Sequence, residues 1–272
     1  MYVKMKGDTV MKKIIALILA FALCLICAAC GGAGTGPLSD GGQTGQTDSG
    51  AEDMQTLGCI IVSGGGTSRI LVAEEKVGLF AVSLDETKIS IGSEQSDFGS
   101  LKNGMAVEIV FDAIRETYPA GISPVTLKAS GVIDENGDIC GLYESIIKTL
   151  WETDTGLNDN GDKLYIDLSN APGLSDTMKE AVRYLAGNLT GKTASAATFD
   201  ELKERGIYDS EKMMIKDGCF ISISGEAKSD SKLTISAQKY VSGLGAIFFN
   251  DGTAKKSSDG KWTFTPGDFA IA

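Results

Sequence analysis

The chain has 272 residues, a formal net charge of −11, 22% charged residues and no histidine. Without imidazole there is no Ser-His-Asp or Cys-His catalysis, no His-ligated zinc and no imidazole proton shuttle; carboxylate chemistry, Ser-Lys pairs and oxygen-ligated Ca²⁺ or Mg²⁺ stay open. The acidic excess also opposes binding to nucleic-acid phosphates, which rests on Lys and Arg, so no nucleic-acid partner is expected.

In chain order, Met1 to Val10 read as an upstream extension, with Met11 as the start. Met11-Lys12-Lys13 precede Ile14 to Ile26, which contain only Ile, Ala, Leu, Phe and Cys. A positive start, a short apolar core and small residues before a cut describe a secretory signal peptide. The run is shorter than the roughly 20 apolar residues that span a bilayer. Leu25-Ile26-Cys27-Ala28-Ala29-Cys30 resembles the lipobox of bacterial lipoproteins, with Cys27 standing where that family usually has Leu. The resemblance implies that Cys30 takes a diacylglycerol and becomes the first mature residue. The protein is then lipid-anchored on the extracytoplasmic face of a bacterial membrane. Residues 1–29 hold four Lys and one Asp, so the mature chain carries 21 basic and 35 acidic residues, a net charge of −14. Such a body is repelled by anionic headgroups, leaving the lipid on Cys30 as its membrane contact.

Gly31 to Thr56 include eight Gly among Ser, Thr, Gln and Asp. This composition cannot build a core and reads as a flexible tether, residues 30–56 with Cys30. Of the remaining cysteines, Cys59, Cys140 and Cys219 lie far apart in sequence. They are expected as buried thiols, not as a disulfide scaffold.

Residues 57–131 carry six short strand signals. Cys59-Ile60-Ile61-Val62 and Arg69-Ile70-Leu71-Val72 flank a Gly-rich connection, and Leu79–Val82, Lys88–Ile91, Val107–Phe111 and Val125–Leu127 follow. Six such segments in about 75 residues suggest a small barrel. Gly104-x-x-Val107-x-Ile109 and Glu116-Thr117-Tyr118-Pro119-Ala120 make the segment similar to OB-like β domains of Gram-positive lipoproteins. That resemblance implies a fold and no activity.

Residues 132–272 open with the turn Asp134-Glu135-Asn136-Gly137-Asp138. Leu142, Tyr143, Ile146, Ile147, Leu150 and Trp151 predict an amphipathic helix over 141–152. Leu164–Leu168 reads as a strand. Ser175 caps a helix striped by Met178, Ala181, Val182 and Leu185 that should end at Gly187. Thr198-Phe199-Asp200-Glu201 is a capping box, in which the Thr hydroxyl and Glu carboxylate satisfy free N–H groups reciprocally. Phe220–Ser224, Leu233–Ala237, Ile247–Phe249 and Lys261–Thr265 then alternate with period two. Helices followed by a meander predict α+β: a small all-β, OB-like module, then a module with its helices packed on an antiparallel sheet.

Candidate chemistry is sparse. Ser145-x-x-Lys148 matches a Ser-Lys nucleophile motif, but so do Ser229/Lys232, Ser236/Lys239 and Ser258/Lys261. Gly191-Lys192-Thr193 imitates the end of a phosphate loop without its first Gly and reads as a loop. Asp154 to Asp162 has the flavour of a calcium loop, yet Gly156 falls at the first ligand position, so a polar turn is expected and no metal site is assigned. Ser242–Ala246 reads as a hairpin connection. Glu144, Glu152 and Asp154 cluster near Trp151 in sequence. No catalytic residue and no cofactor is assigned. The expected function is a binding or interaction module for an envelope or extracellular ligand; the alternative is an envelope hydrolase using carboxylates or a Ser-Lys pair.

Overall fold

The structure, a computed structural model, describes residues 54–272. The first sheet comprises β1 (Gln55–Ser63), β2 (Arg69–Glu74), β3 (Gly78–Ser83), β4 (Lys88–Ile91), β5 (Glu94–Ser96), β6 (Met105–Phe111), β7 (Ile114–Arg115), β8 (Ala120–Ile122) and β9 (Thr126–Ile133). Their order is β5-β4-β9-β6-β1-β2-β3-β8-β7. The six strands expected from the sequence are all present, and β5, β7 and β8 are additions of two or three residues, too short to show a period.

β1 and β2 are buried on both faces. Cys59, Ile61, Ile70 and Val72 point into the core that this curled sheet encloses, whereas Val62, Leu71 and Ala73 point outward into a second core. That is why both strands read as unbroken apolar runs. β6 has only its inner face covered and alternates: Met105, Val107, Ile109 and Phe111 are buried, with Ala106 and Glu108 exposed between them.

The second core is roofed by α1 (Ile139–Glu152) and α2 (Asp176–Thr190). Asp138 caps α1 by accepting from Gly141 N at 3.1 Å. Five of the six residues in the expected stripe are buried and Trp151 is half-buried. Ser175 caps α2, accepting from Met178 N at 3.2 Å. The helix does not end at Gly187 but runs to Thr190, and Gly191, at φ +68°, closes it in the left-handed conformation. Gly187 sits inside the helix, where its missing side chain leaves room for Lys192 O and Ala194. A short helix, α3 (Phe199–Glu204), has both halves of the expected capping box.

The second sheet contains β10 (Lys163–Asp167), β11 (Thr193–Ala196), β12 (Tyr208–Asp209), β13 (Met214–Ile215), β14 (Cys219–Ser229), β15 (Lys232–Ser242), β16 (Gly245–Lys256), β17 (Trp262–Thr265) and β18 (Asp268–Ile271). It is mixed, not purely antiparallel as expected: β10 pairs in parallel with both β11 and β14, while β14, β15 and β16 form the antiparallel meander. The parallel element arises because α2 crosses between β10 and β11. Thr193 therefore opens a strand, although the sequence suggested a loop there. One face of the sheet packs on α1 and α2. Part of the other is covered by α3, where Leu202 and Phe199 meet Tyr165, Phe220 and Tyr240. Ser242 to Ala246 forms the expected hairpin connection between β15 and β16.

Three turns that are distant in sequence meet at one seam. Asp134 N donates to Gly104 O at 2.8 Å and Asp138 N to Gly260 O at 2.9 Å. Asn103 Nδ2 donates to Asp138 Oδ1 at 3.1 Å, and Trp262 Nε1 to Asn136 O at 2.7 Å. Gly137 lies at φ +63°, and a Cβ there would stand 2.3 Å from Gly260 O. Only glycine satisfies both constraints.

Candidate functional site

Two concavities stand out among the described residues. The larger, about 670 Å³, is a groove on the outer face of β1, β6 and β9. Its floor is Gly58, Ile60, Ala73 and Ala106, and Met178 at the start of α2 closes one end. The groove exists because the outward positions of these strands are small where the helical roof stops. A Cβ on Gly58 would meet nothing within 4 Å. The rim carries Glu74, Glu75 and Glu108 against Lys128, which faces Glu108 across the β6–β9 ladder. Glu74 is already engaged: its Oε2 accepts from Lys76 N at 2.7 Å and Val77 N at 2.6 Å, closing the β2–β3 turn.

The second concavity, about 600 Å³, is polar and runs along α2 beside the loop that carries Tyr118. Glu180, Arg183, Tyr184 and Asn188 line it at helical spacing, and Thr193 at the start of β11 forms its far wall. Tyr118 Oη donates to Glu180 Oε1 at 2.7 Å. Partial burial, followed by this bond to a carboxylate, pushes the Tyr118 hydroxyl up to about 12.

The residues singled out in the sequence do not assemble into a catalytic group. Ser145 Oγ bonds back to Leu142 O at 2.7 Å, while Lys148 pairs with Glu152 at 3.8 Å on the exposed side of α1. Ser236 and Lys239 lie on opposite faces of β15, three residues apart in a period-two strand. Ser236 Oγ accepts from Asp251 N at 3.1 Å. Ser229 and Lys232 flank the β14–β15 turn, and Ser258 and Lys261 the last turn. In no pair does the hydroxyl bond to its lysine among the described residues.

Lys239 has a structural task that the sequence did not reveal. It is fully buried, and its Nζ donates to Thr153 O at 2.6 Å, Asp154 O at 3.0 Å and Asn158 Oδ1 at 3.1 Å. A cation thus closes the C-terminus of α1, where free carbonyls and the helix dipole favour positive charge. Desolvation lowers its pKa from the usual lysine value. The stretch 154–162 serves the same end: Asn158 Nδ2 donates to Trp151 O at 2.9 Å, and Asn160 Nδ2 to Ile215 O and Gly218 O. Its amides hold backbone carbonyls. Among the described residues no cluster of three or more His, Cys, Asp or Glu side chains could hold a metal ion.

Glu144, Glu152 and Asp154 share neither cavity. Cys59, Cys140 and Cys219 are buried free thiols, each pushed up to about 12, first by burial. Cys30 lies outside the described residues. No helix among them is long and apolar enough to cross a membrane.

Fold and cavities together define a two-sheet α+β protein with concave surfaces. No protein-family model matches the chain, and no curated protein or solved structure matches it.

Proposed function

We propose that the chain is a membrane-anchored extracytoplasmic lipoprotein whose folded body is a binding module. The anchor rests on the lipobox ending at Cys30 and on the Gly-rich tether that follows. β1 begins at Gln55, so the tether ends two residues before the Thr56 expected from the sequence. A random coil of about 24 such residues has a root-mean-square span of roughly 27 Å, enough to hold the body clear of the headgroups. The finer reading of the first sheet is an OB-like barrel. β3 and β8 pair in parallel, as do β4 and β9, and Lys88 N bridges to Val125 O at 3.1 Å between these ladders. Taken as two interrupted strands, β3/β4 and β8/β9 join the ends of the sheet, which supports a five-stranded Greek-key closure.

The observation that carries the binding role is the groove on β1, β6 and β9. Its floor is apolar and its rim has three carboxylates against one ammonium, the chemistry of a ligand with apolar groups and positive charge. A test uses a fluorescent (Lys-Leu)₄ peptide as probe. Binding to the wild-type protein should weaken at least about tenfold in Gly58→Phe, which fills the groove from an open position. Absence of binding to wild type, or equal binding to both proteins, would remove the groove from the reading. The anchor is tested separately by intact mass and detergent partitioning: Cys30→Ala should lose both the acyl increment and the membrane. A wild-type mass without an acyl increment on Cys30 rules out lipidation.

A further inference from the structure

We propose that the polar cleft along α2 is a second binding site, for a small monocarboxylate with a hydroxylated body, and that Arg183 receives the carboxylate. The cleft is unlike the groove: it is lined by hydrogen-bonding side chains contributed by both halves of the molecule, Tyr118 from the first sheet and the rest from α2 and β11. Arg183, half-buried, is among the residues that line it and makes no ion pair or hydrogen bond among the described residues. Its neighbour on the helix, Glu180, is occupied by the Tyr118 hydroxyl. A guanidinium fork held in a concavity without a protein acceptor is built for a planar, bidentate anion.

Charge decides which anion. Arg183 and Lys192 face a single carboxylate, Glu180, in the same cleft. Lys192 already donates to Gly161 O at 2.6 Å, which leaves Arg183 as the principal free cation. Lys192 keeps its charge when bonded to a carbonyl, so two cations against one carboxylate leave the cleft a net charge of +1, which suits a monoanion; a phosphate dianion would carry surplus charge against Glu180. The body of the ligand follows from the other walls. Tyr184 Oη, the Asn188 amide and the Thr193 hydroxyl have no partner among the described residues and can meet hydroxyl groups. Tyr118 and Tyr184, edge to face with centroids 6.1 Å apart, supply apolar ring surface for carbon-bound hydrogens. Gly187 and Gly191 keep the floor open, and a cavity of about 600 Å³ accommodates a molecule of one or two sugar rings. A sugar acid combines these features.

The test is an NMR titration of the soluble full body with D-galacturonate, with D-galactose, acetate and inorganic phosphate as comparisons. Galacturonate should give saturable shifts on α2 and β11 at millimolar concentration, with each comparison at least about tenfold weaker. Arg183→Gln should abolish saturation. Arg183→Lys, which keeps charge but loses the fork, should retain only a weak response. Thermal unfolding of both variants should match wild type, since Arg183 makes no hydrogen bond or ion pair among the described residues. Gly58→Phe should bind galacturonate like wild type, so failure of the groove and failure of the cleft are separate results. No saturable shift with galacturonate, an undiminished one in Arg183→Gln, or phosphate or galactose binding as tightly would each overturn the assignment.

Discussion

The two sheets solve the problem of covering apolar surface in opposite ways. The first curls until its inner faces enclose a core of their own, and then presents a second apolar face, on β1 and β2, to α1 and α2. The second sheet stays open. Its inner face shares the helical roof, while beyond α3 its outer face is polar, with Ser222, Ser224, Ser236 and Gln238 in a row. The result is one core to which both halves contribute: Val62, Leu71, Ala73 and Leu79 of the first sheet lie in one cluster with Leu142, Ile146 and Val182 of the helices. The lesson is that a strand-rich segment and a helix-rich segment, separable in sequence, need not be separable in energy.

The sharpest way to break this comparison is to cut the chain. Residues 54–133 and 134–272 produced apart should each lose cooperative unfolding, because each exposes its side of the shared core at roughly 2–5 kcal/mol for every large side chain left without partners. Two sharp, independent thermal transitions from the separate pieces would show two autonomous modules instead.

A gentler probe is the seam where turns from both halves meet. Gly137→Ala must hold a positive φ and clear Gly260 O, and should destabilise by about 3 kcal/mol. Gly191→Ala, also at positive φ but facing open space, should cost only about 1 kcal/mol. Urea midpoints of the two variants measure the difference, and equal midpoints would mean that the seam carries no strain of its own.

The effect that vanishes at neutral pH concerns the thiols, one in the first sheet's core and two in the shared one. Cys59, Cys140 and Cys219 are held neutral up to about 12, whereas an unfolded chain ionises its thiols from about 9. A pKa raised in the folded state contributes stability that is complete below the unfolded value and lost as pH rises toward the folded one. Stability should therefore fall between pH about 9 and 12, and iodoacetamide at pH about 9 should modify these three residues only after denaturant is added. Labelling of the native protein at any of them, mapped by mass spectrometry, would contradict their burial.

Parts of the fold were legible because they are local. The cap at Ser175, the capping box at Thr198 and Glu201, and the stripe Leu142, Tyr143, Ile146, Ile147 and Leu150 each depend on residues within a few positions of one another. The end of α2 was misread because Gly187 and Gly191 look alike in sequence. Only packing against Lys192 and Ala194 makes the first an interior residue and the second a cap. The candidate cleft was invisible for a related reason. Tyr118 and Glu180, bonded at 2.7 Å, are 62 residues apart, and the short motif that contains Tyr118 implied a fold and no ligand.

The sequence by itself determined the absence of imidazole chemistry, the acidic composition, the short apolar run from Ile14 to Ile26, and the type of nearly every long element. Composition, and periods of two or 3.6, are properties of the chain that no fold can alter. The tertiary structure alone decided that β10 and β11 run parallel, that three turns close on Gly137, and that Lys239 is a buried cap for α1 while Arg183 has no partner among the described residues. Each of these is a choice of neighbour across tens of residues. It is made when the whole core closes, since only then is the entropy of joining distant segments offset by the apolar surface they bury together.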